Sequence, residues 1–213
     1  MKDYRIILGD CLEEMKKFPD NHFDLVLTDP PYGIGVASKG TVGGGSKRGR
    51  ARQFDKQAWD NKKITKEYFD EMFRVSKNQI IFGGNYYLDF LPPTRCMIIW
   101  YKRQGLPKRT FADCEIAWTS FDKNAVVYSS RWDGFIRDGN EDREEHPTQK
   151  PERLMKQIIA DFTVPTNTIL DPFAGSGSTV RAAKDLGRSC TAIEINPKYI
   201  EIINKRERQE VLL

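Results

Sequence analysis

Histidine is nearly absent: among 213 residues only His22 and His146 occur. The four cysteines, Cys11, Cys96, Cys114 and Cys190, are scattered, without a CxxC pair or clustered histidines. This distribution indicates neither a zinc site nor a disulfide framework, and no metal is expected. Buried free thiols are the expected state of the cysteines. No apolar run reaches the roughly 18 residues that a membrane span needs. The opening Met1-Lys2-Asp3-Tyr4 lacks the apolar stretch of a secretory signal, so a cytoplasmic location is expected. Internal repeats are missing too, as is any boundary that would mark a second domain. A single domain over residues 1–213 is expected, long enough for a sizeable core. With 39% hydrophobic and 30% charged residues, the composition is that of an ordinary globular protein.

The net charge of +4 is mild, but its distribution is uneven. Between Val36 and Lys63, Lys39, Lys47, Arg48, Arg50, Arg52, Lys56, Lys62 and Lys63 stand against Asp55 and Asp60, a local surplus of six. Residues 33–63 lack periodicity and contain Gly43-Gly44-Gly45, which reads as a flexible basic loop inserted in the domain. Such a loop suits a polyanion, and a merely solvated loop accounts for it equally well.

Elsewhere, strand-like and helix-like segments alternate, which argues for an α/β sheet. Strands are predicted over Tyr4–Leu8, Asp24–Thr28, Gln79–Phe82, Cys96–Tyr101, Glu115–Ser120, Asn167–Leu170 and Ser189–Ile193. Helices are predicted over Cys11–Lys17, Lys66–Ser76, Tyr86–Leu91, Pro151–Phe162 with Pro151 in its first turn, Ser178–Leu186 capped by Gly187, and Pro197–Arg208. Residues 129–145 read as irregular, with an acidic run from Asp138.

Asp29-Pro30-Pro31-Tyr32, at the end of the second predicted strand, is the most informative tetrapeptide. The amino group of a nucleobase is a poor nucleophile because its lone pair is delocalised into the ring. Two fixed acceptors aimed at its protons would localise that pair, and the Asp29 carboxylate and Pro30 carbonyl can supply them. Pro30 and Pro31 fix φ and bring no N–H to compete. Tyr32 offers a stacking face. A proline-rich turn is the bland alternative.

A second constellation runs Asp171-Pro-Phe173-Ala174-Gly175-Ser176-Gly177, between a strand and a helix. Glycines there let the backbone approach a ligand, and a helix amide end favours a carboxylate. The third glycine of GxGxxG is missing, so a plain tight turn would also serve. Glu194 lies 17 residues after Gly177 at the next strand end, where an acid can accept from ribose hydroxyls. The two together are more specific than either alone. His146-Pro147-Thr148-Gln149-Lys150-Pro151, before a helix, is by itself only a polar loop.

In this order the motifs resemble the amino-methyltransferases of DNA, specifically their permuted beta class, in which the catalytic tetrapeptide precedes the cofactor glycine turn. Here the turn follows about 140 residues later. His146–Pro151 is similar to the class's lead-in, and Gly9-Asp10-Cys11 matches as well, so the resemblance spans Gly9 to about Tyr199. It implies a Rossmann-like fold with a mostly parallel seven-stranded sheet carrying one antiparallel strand, and S-adenosylmethionine as cofactor. It also implies DNA as partner and allows a homodimer, since some relatives dimerise. Asp29 and Pro30 would accept from the target amino group, and Tyr32 would stack on a flipped base. Asp171, Phe173, Gly175 and Gly177, with Ala174 and Ser176 in the same turn, would wrap the methionine part of the cofactor. Glu194 would hold the ribose. Asp10 and the Cys11 backbone would sit at the adenine, and Thr148 and Lys150 near the methionine end. Phe111–Trp118 is similar to a segment of small phage-type members that lies near the target base.

Larger relatives carry a sizeable target-recognition region. Here residues 102–145 leave little room for one, so readout is expected to be short or relaxed. Lys47, Arg48, Arg50 and Arg52 are expected at DNA phosphates. N6 of adenine is the expected target, because beta-class cytosine enzymes more often have Ser where Asp29 stands. N4 of cytosine is the close rival. Methylation at cytosine carbon 5 is disfavoured, because relatives place that nucleophile in Pro-Cys, a dipeptide missing here. RNA as substrate, and a catalytically silent protein that binds nucleic acid or a partner, are weaker readings.

Overall fold

The computed structural model describes residues 3–35, 41–42, 52–53, 62–103, 105, 112–133, 136–137 and 148–208. The chain runs β1 (Tyr4–Leu8), α1 (Cys11–Met15), β2 (Phe23–Thr28), β3 (Thr41–Val42), β4 (Arg52–Gln53), α2 (Lys66–Val75), β5 (Ser76–Phe82) and a 3-10 turn (Gly84–Tyr86). It continues through β6 (Met97–Tyr101), β7 (Cys114–Thr119), β8 (Val126–Ser129), β9 (Trp132–Asp133), β10 (Ile136–Arg137) and α3 (Glu152–Phe162). It closes with β11 (Thr168–Asp171), α4 (Ser178–Asp185), β12 (Ser189–Glu194) and α5 (Pro197–Glu207).

Eight strands form the main sheet in the order β1-β12-β11-β2-β5-β7-β6-β8. Among them β7 alone runs antiparallel to its neighbours β5 and β6. Alternating side chains go to opposite faces of a strand, and both faces of this sheet are covered. Leu25, Leu27, Ile80, Phe82, Ile98 and Ile169 pack with Leu154 and Ile158 of α3, Val180 of α4 and Ile203 of α5. Val26, Ile81, Leu170 and Ile193 point the other way, onto Met15 of α1 and Phe69, Met72 and Val75 of α2. This double burial is why the central strands are continuous apolar runs. The Asp10 carboxylate caps α1, accepting from Leu12 N at 2.8 Å. Asn196 caps α5, which has Pro197 in its first turn.

The structure corrects the sequence reading at five places. The sheet has eight strands rather than seven: β8, a four-residue edge strand with Tyr128 as its one buried residue, pairs parallel with β6. The helix expected over Tyr86–Leu91 is a 3-10 turn over Gly84–Tyr86, entered through Gly83 at φ 67° and followed by Pro92-Pro93. Pro151 stands outside α3 as its N-cap, not in its first turn. Within the stretch read as irregular, β9 and β10 pair as an antiparallel hairpin. The basic segment likewise contains the paired strands β3 and β4.

From β11 the chain moves one way to β12, and from β2 the other way to β5, so the strand order reverses between the adjacent strands β11 and β2. Ligands of open α/β sheets bind at such a switch point, outside the carboxyl ends of the strands. Both motifs of the sequence leave the sheet there. The described helices contain none long and apolar enough to cross a membrane.

Candidate active site

A cavity of about 610 Å³ opens at this edge, lined by Asp29–Tyr32 after β2, by the glycine turn after β11 and by Glu194 at the end of β12. Asp10, Cys11, Thr148 and Lys150 line it too. Residues some 140 positions apart in the chain thus share one chamber. Thr28 and Asp171 tie the two strand ends together, the Thr28 hydroxyl donating to Asp171 Oδ1 at 2.8 Å.

On the β2 side the tetrapeptide is held from several directions. The Tyr87 hydroxyl donates to the Pro31 carbonyl, and the Tyr32 hydroxyl donates to Asp29 Oδ1. Tyr86 stacks on Tyr32 with ring centroids 4.7 Å apart and planes 17° from parallel. Gly83 makes this arrangement possible: a Cβ there would lie 2.0 Å from Tyr32 Cε1. Tyr32 also pairs with Lys63 in an isolated antiparallel bridge, which brings the two ends of the basic segment together beside a cavity-lining residue.

Lys150 Nζ donates to Asp29 Oδ2 and lies 3.2 Å from Glu115 Oε2, while Lys102 Nζ donates to Glu115 Oε1 at 2.8 Å. Two carboxylates and two ammonium groups therefore form a continuous chain along the cavity wall. Burial raises the Asp29 pKa above the usual carboxylate value, Lys150 opposes the rise and Glu115 adds to it. At Glu115 burial works in the same direction, but Lys150 and Lys102 outweigh it, and the pKa falls. At Lys150 burial favours the neutral form, but the two carboxylates prevail and hold the ammonium protonated.

On the β11 side, Asp171 accepts from Phe173 N at 3.2 Å and shapes the start of the turn. Burial pushes its carboxyl up to about 6, against hydrogen bonds from Thr179, Thr28 and the Phe173 amide. Gly175 and Gly177 sit at φ 52° and 80°, left-handed backbone that favours glycine. Glu194 accepts from Gly175 N through Oε2 and from Asn196 N through Oε1, both at 2.8 Å. A carboxylate oxygen accepts more than one bond, so Glu194 retains capacity for hydroxyl donors in the cavity. Behind the turn, buried Arg206 donates to the Ser176 carbonyl at 2.8 Å and to Glu152. Tyr68 faces Phe173 at 6.1 Å between centroids. A left-handed glycine turn leading into α4, an acid on the adjacent strand and two facing aromatic rings fit an amino-acid nucleoside such as S-adenosylmethionine.

The family model for the DNA methylases that act on N6 or N4 amino groups matches residues 97–205. YubD of Escherichia coli K12, named as a methylase, is 30% identical over 92% of this chain and 86% of its own length.

The chain belongs to the N6/N4 DNA methylase family.

The type II methyltransferase M.HpaI of Haemophilus parainfluenzae is 27% identical over 96% of this chain and 74% of its own length. M.HinfI of Haemophilus influenzae is 28% identical over 96% and 68%. Among solved structures, the M1.HpyAVI complex with S-adenosylmethionine superposes with a TM-score of 0.62 at 24% identity, over 95% of this chain and 99% of its own. The cytosine-N4-specific PvuII methyltransferase gives 0.65 at 15% identity, over 100% and 89%. Both likenesses concern the fold.

In this DNA methyltransferase the sequence-assigned residues of the tetrapeptide, the glycine turn, Glu194, Asp10, Cys11, Thr148 and Lys150 come together. Lys150 ends on the Asp29 carboxylate, and the Asp10 carboxylate is engaged as a helix cap. Lys47, Arg48 and Arg50 lie outside the described residues, as do Phe111 and His146, and Arg52 is placed only as backbone of β4. Sequence reasoning gave no role to Gly83, Tyr86, Tyr87, Lys102, Arg206 or Thr28. The Gly83-Gly84 doublet directly after a strand was a usable signal, because paired glycines at a strand end mark close backbone approach. Lys102 and Arg206 gave none, being ordinary charged residues until the fold buries them.

Proposed function

We propose that this methyltransferase transfers the methyl group of S-adenosylmethionine to the exocyclic N6 of adenine in DNA. Bound in the cavity, S-adenosylmethionine supplies a methyl group already activated on a sulfonium. The chain's task is then to position and polarise the acceptor. Glu194 takes the ribose hydroxyls, the amide end of α4 takes the carboxylate, and Phe173 with Tyr68 flanks the apolar part. Asp29 and the Pro30 carbonyl accept from the amino protons of a base rotated out of the duplex, which localises the nitrogen lone pair for attack. Tyr32, pinned through its hydroxyl to Asp29, sets the plane of the base. Lys47, Arg48, Arg50 and Arg52 contact phosphates, by virtue of a segment rooted at the cavity mouth through Tyr32 and Lys63. Binding then weakens as salt rises.

The observation that carries this reading is the shared chamber. The Asp29 tip and the glycine turn occupy adjacent strand ends, coupled by the bond between Thr28 and Asp171. Incubation of the protein with S-adenosylmethionine and unmethylated plasmid DNA, followed by nucleoside mass spectrometry, tests it. N6-methyladenine is the expected product. N4-methylcytosine alone would overturn the choice of base. Cofactor binding with no methylated nucleoside would overturn catalysis.

A further inference from the structure

The Asp29 carboxylate, which the preceding reading assigns to the target amino group, is already occupied in the resting protein. Lys150 sits on Oδ2 and the Tyr32 hydroxyl on Oδ1. An ammonium on that carboxylate competes with the incoming base. Lys150 is buried, so it cannot turn to water when the base arrives. Among the described residues, the other carboxylate beside it is that of Glu115 at 3.2 Å, at the start of β7. Because β7 runs antiparallel, its first residues lie at the carboxyl edge of the parallel strands. That topology is what brings Glu115 to the cavity. Lys102, at the end of β6 and the register partner side of the same ladder, fixes the other oxygen of Glu115 at 2.8 Å. The four groups balance, two anions against two cations.

We propose that Glu115 is a positioning residue for Asp29: it is the second acceptor that draws the Lys150 ammonium aside when the base amino group reaches the carboxylate. Lys102 holds Glu115 in place, and Phe82, whose ring lies 5.0 Å from Lys150 Nζ, walls the ammonium between the two acids. Among the described residues, the charged and titratable groups acting on Asp29 are Lys150, Glu115, Tyr32 and, across the switch point, Asp171, with Lys102 behind Glu115. The proposal rests on Asp29 receiving the amino group.

Glu115→Gln keeps the shape and removes the charge. Its expected single-turnover rate on unmethylated plasmid DNA is about ten- to hundredfold below wild type, with S-adenosylmethionine affinity within about twofold. Glu115 raises the proton affinity of Asp29, so removing its charge lets Asp29 ionise at lower pH. The Asp29 carboxyl carbon, followed by NMR in the free protein, therefore titrates at lower pH in the variant. Glu115→Asp, which keeps the charge, recovers most of the rate. Should Glu115→Gln not fold, Lys102→Met carries the test with the opposite sign, since losing a cation moves the Asp29 titration to higher pH. An unchanged Asp29 titration and rate in Glu115→Gln, or cofactor affinity lost in step with rate, would overturn the proposal. A wild-type protein that methylates no amino group would sink the underlying reading instead.

Discussion

Replacing Gly83 by alanine is a demanding test of how the site is built, because the structure sets the size of the effect. The added Cβ would lie 2.0, 2.5 and 2.6 Å from Cε1, Cζ and Cδ1 of Tyr32. The ring must retreat by about 1.4 Å to reach even a tight 3.4 Å contact. It cannot do so without leaving either the Tyr86 stack or the Asp29 carboxylate. Alanine at φ 67° costs about 1–2 kcal/mol and the overpacking about 1–3 kcal/mol more. The expected loss is thus about 2–5 kcal/mol in urea unfolding. For a chain of this size that is about 5–15 °C in melting temperature. Misplacing a reacting group by about 1 Å costs about a hundredfold in rate, and methyl transfer to plasmid DNA should fall at least that far. Binding of S-adenosylmethionine, on the other side of the switch point, should stay within about threefold. Adding Tyr32→Ala to Gly83→Ala removes the clash, so about 1–3 kcal/mol should return without any activity. A Gly83→Ala protein with wild-type stability and rate would refute the claim that this glycine positions Tyr32.

Asp29→Ala should abolish turnover while leaving cofactor affinity largely intact, measured by calorimetry. Equal loss of both would make Asp29 structural. Glu194→Gln should weaken S-adenosylmethionine binding by about ten- to hundredfold, with turnover near wild type at saturation. An unchanged dissociation constant would remove the ribose assignment. Asp171, ordinarily at 3.8 and here raised to about 6, holds its proton more tightly folded than unfolded. Its stabilising contribution is therefore complete below about pH 4 and lost as pH rises through about 6. The stability of wild type relative to Asp171→Asn should fall by about 3 kcal/mol between pH 4 and pH 8 in urea titrations. A pH-independent difference would contradict the assigned burial. Arg206→Met removes the buried guanidinium that donates to Glu152 and to the Ser176 carbonyl, and should cost about 2–4 kcal/mol. Calorimetry should also show weaker cofactor binding, because the turn loses its backing.

Much of this architecture was legible from periodicity. The runs Asp24–Thr28, Gln79–Phe82 and Asn167–Leu170 each bury alternate residues against two helix layers, which leaves a short apolar signature in the chain. The residues that touch ligand in the proposed reading were legible too, because Asp29–Tyr32 and Gly175–Gly177 are unusual local sequences at strand ends. What escaped was the support. Strand β8 buries little and sits at the edge of the sheet, so its pattern is weak. Glu115 and Lys102 look like surface charges of a hairpin-like ladder, and only the reversal of β7 brings them both to the cavity. The basic segment at residues 33–63 and the acidic run at residues 138–145 carry composition but little pattern. The DNA-contact assignments to Lys47, Arg48 and Arg50 accordingly fall outside the described residues.

The same topology explains why the order of motifs along the chain matters so little to the chemistry. Asp29 and the glycine turn meet because β2 and β11 are neighbours, and neighbours at a reversal of strand order, not because they are near in sequence. Any threading that leaves these two strands adjacent and parallel preserves the chamber, the bond from Thr28 to Asp171, and the placement of Lys150 at the entry to α3. The constraint on sequence is then local: a strand must end in the acid and its prolines, another in the glycine turn. The antiparallel β7 must begin beside them, because an antiparallel strand alone delivers its first residues, Cys114 and Glu115, to the edge where the parallel strands finish. On this argument Glu115 is tied to the direction of β7, and reversing that strand would take its carboxylate away from Lys150.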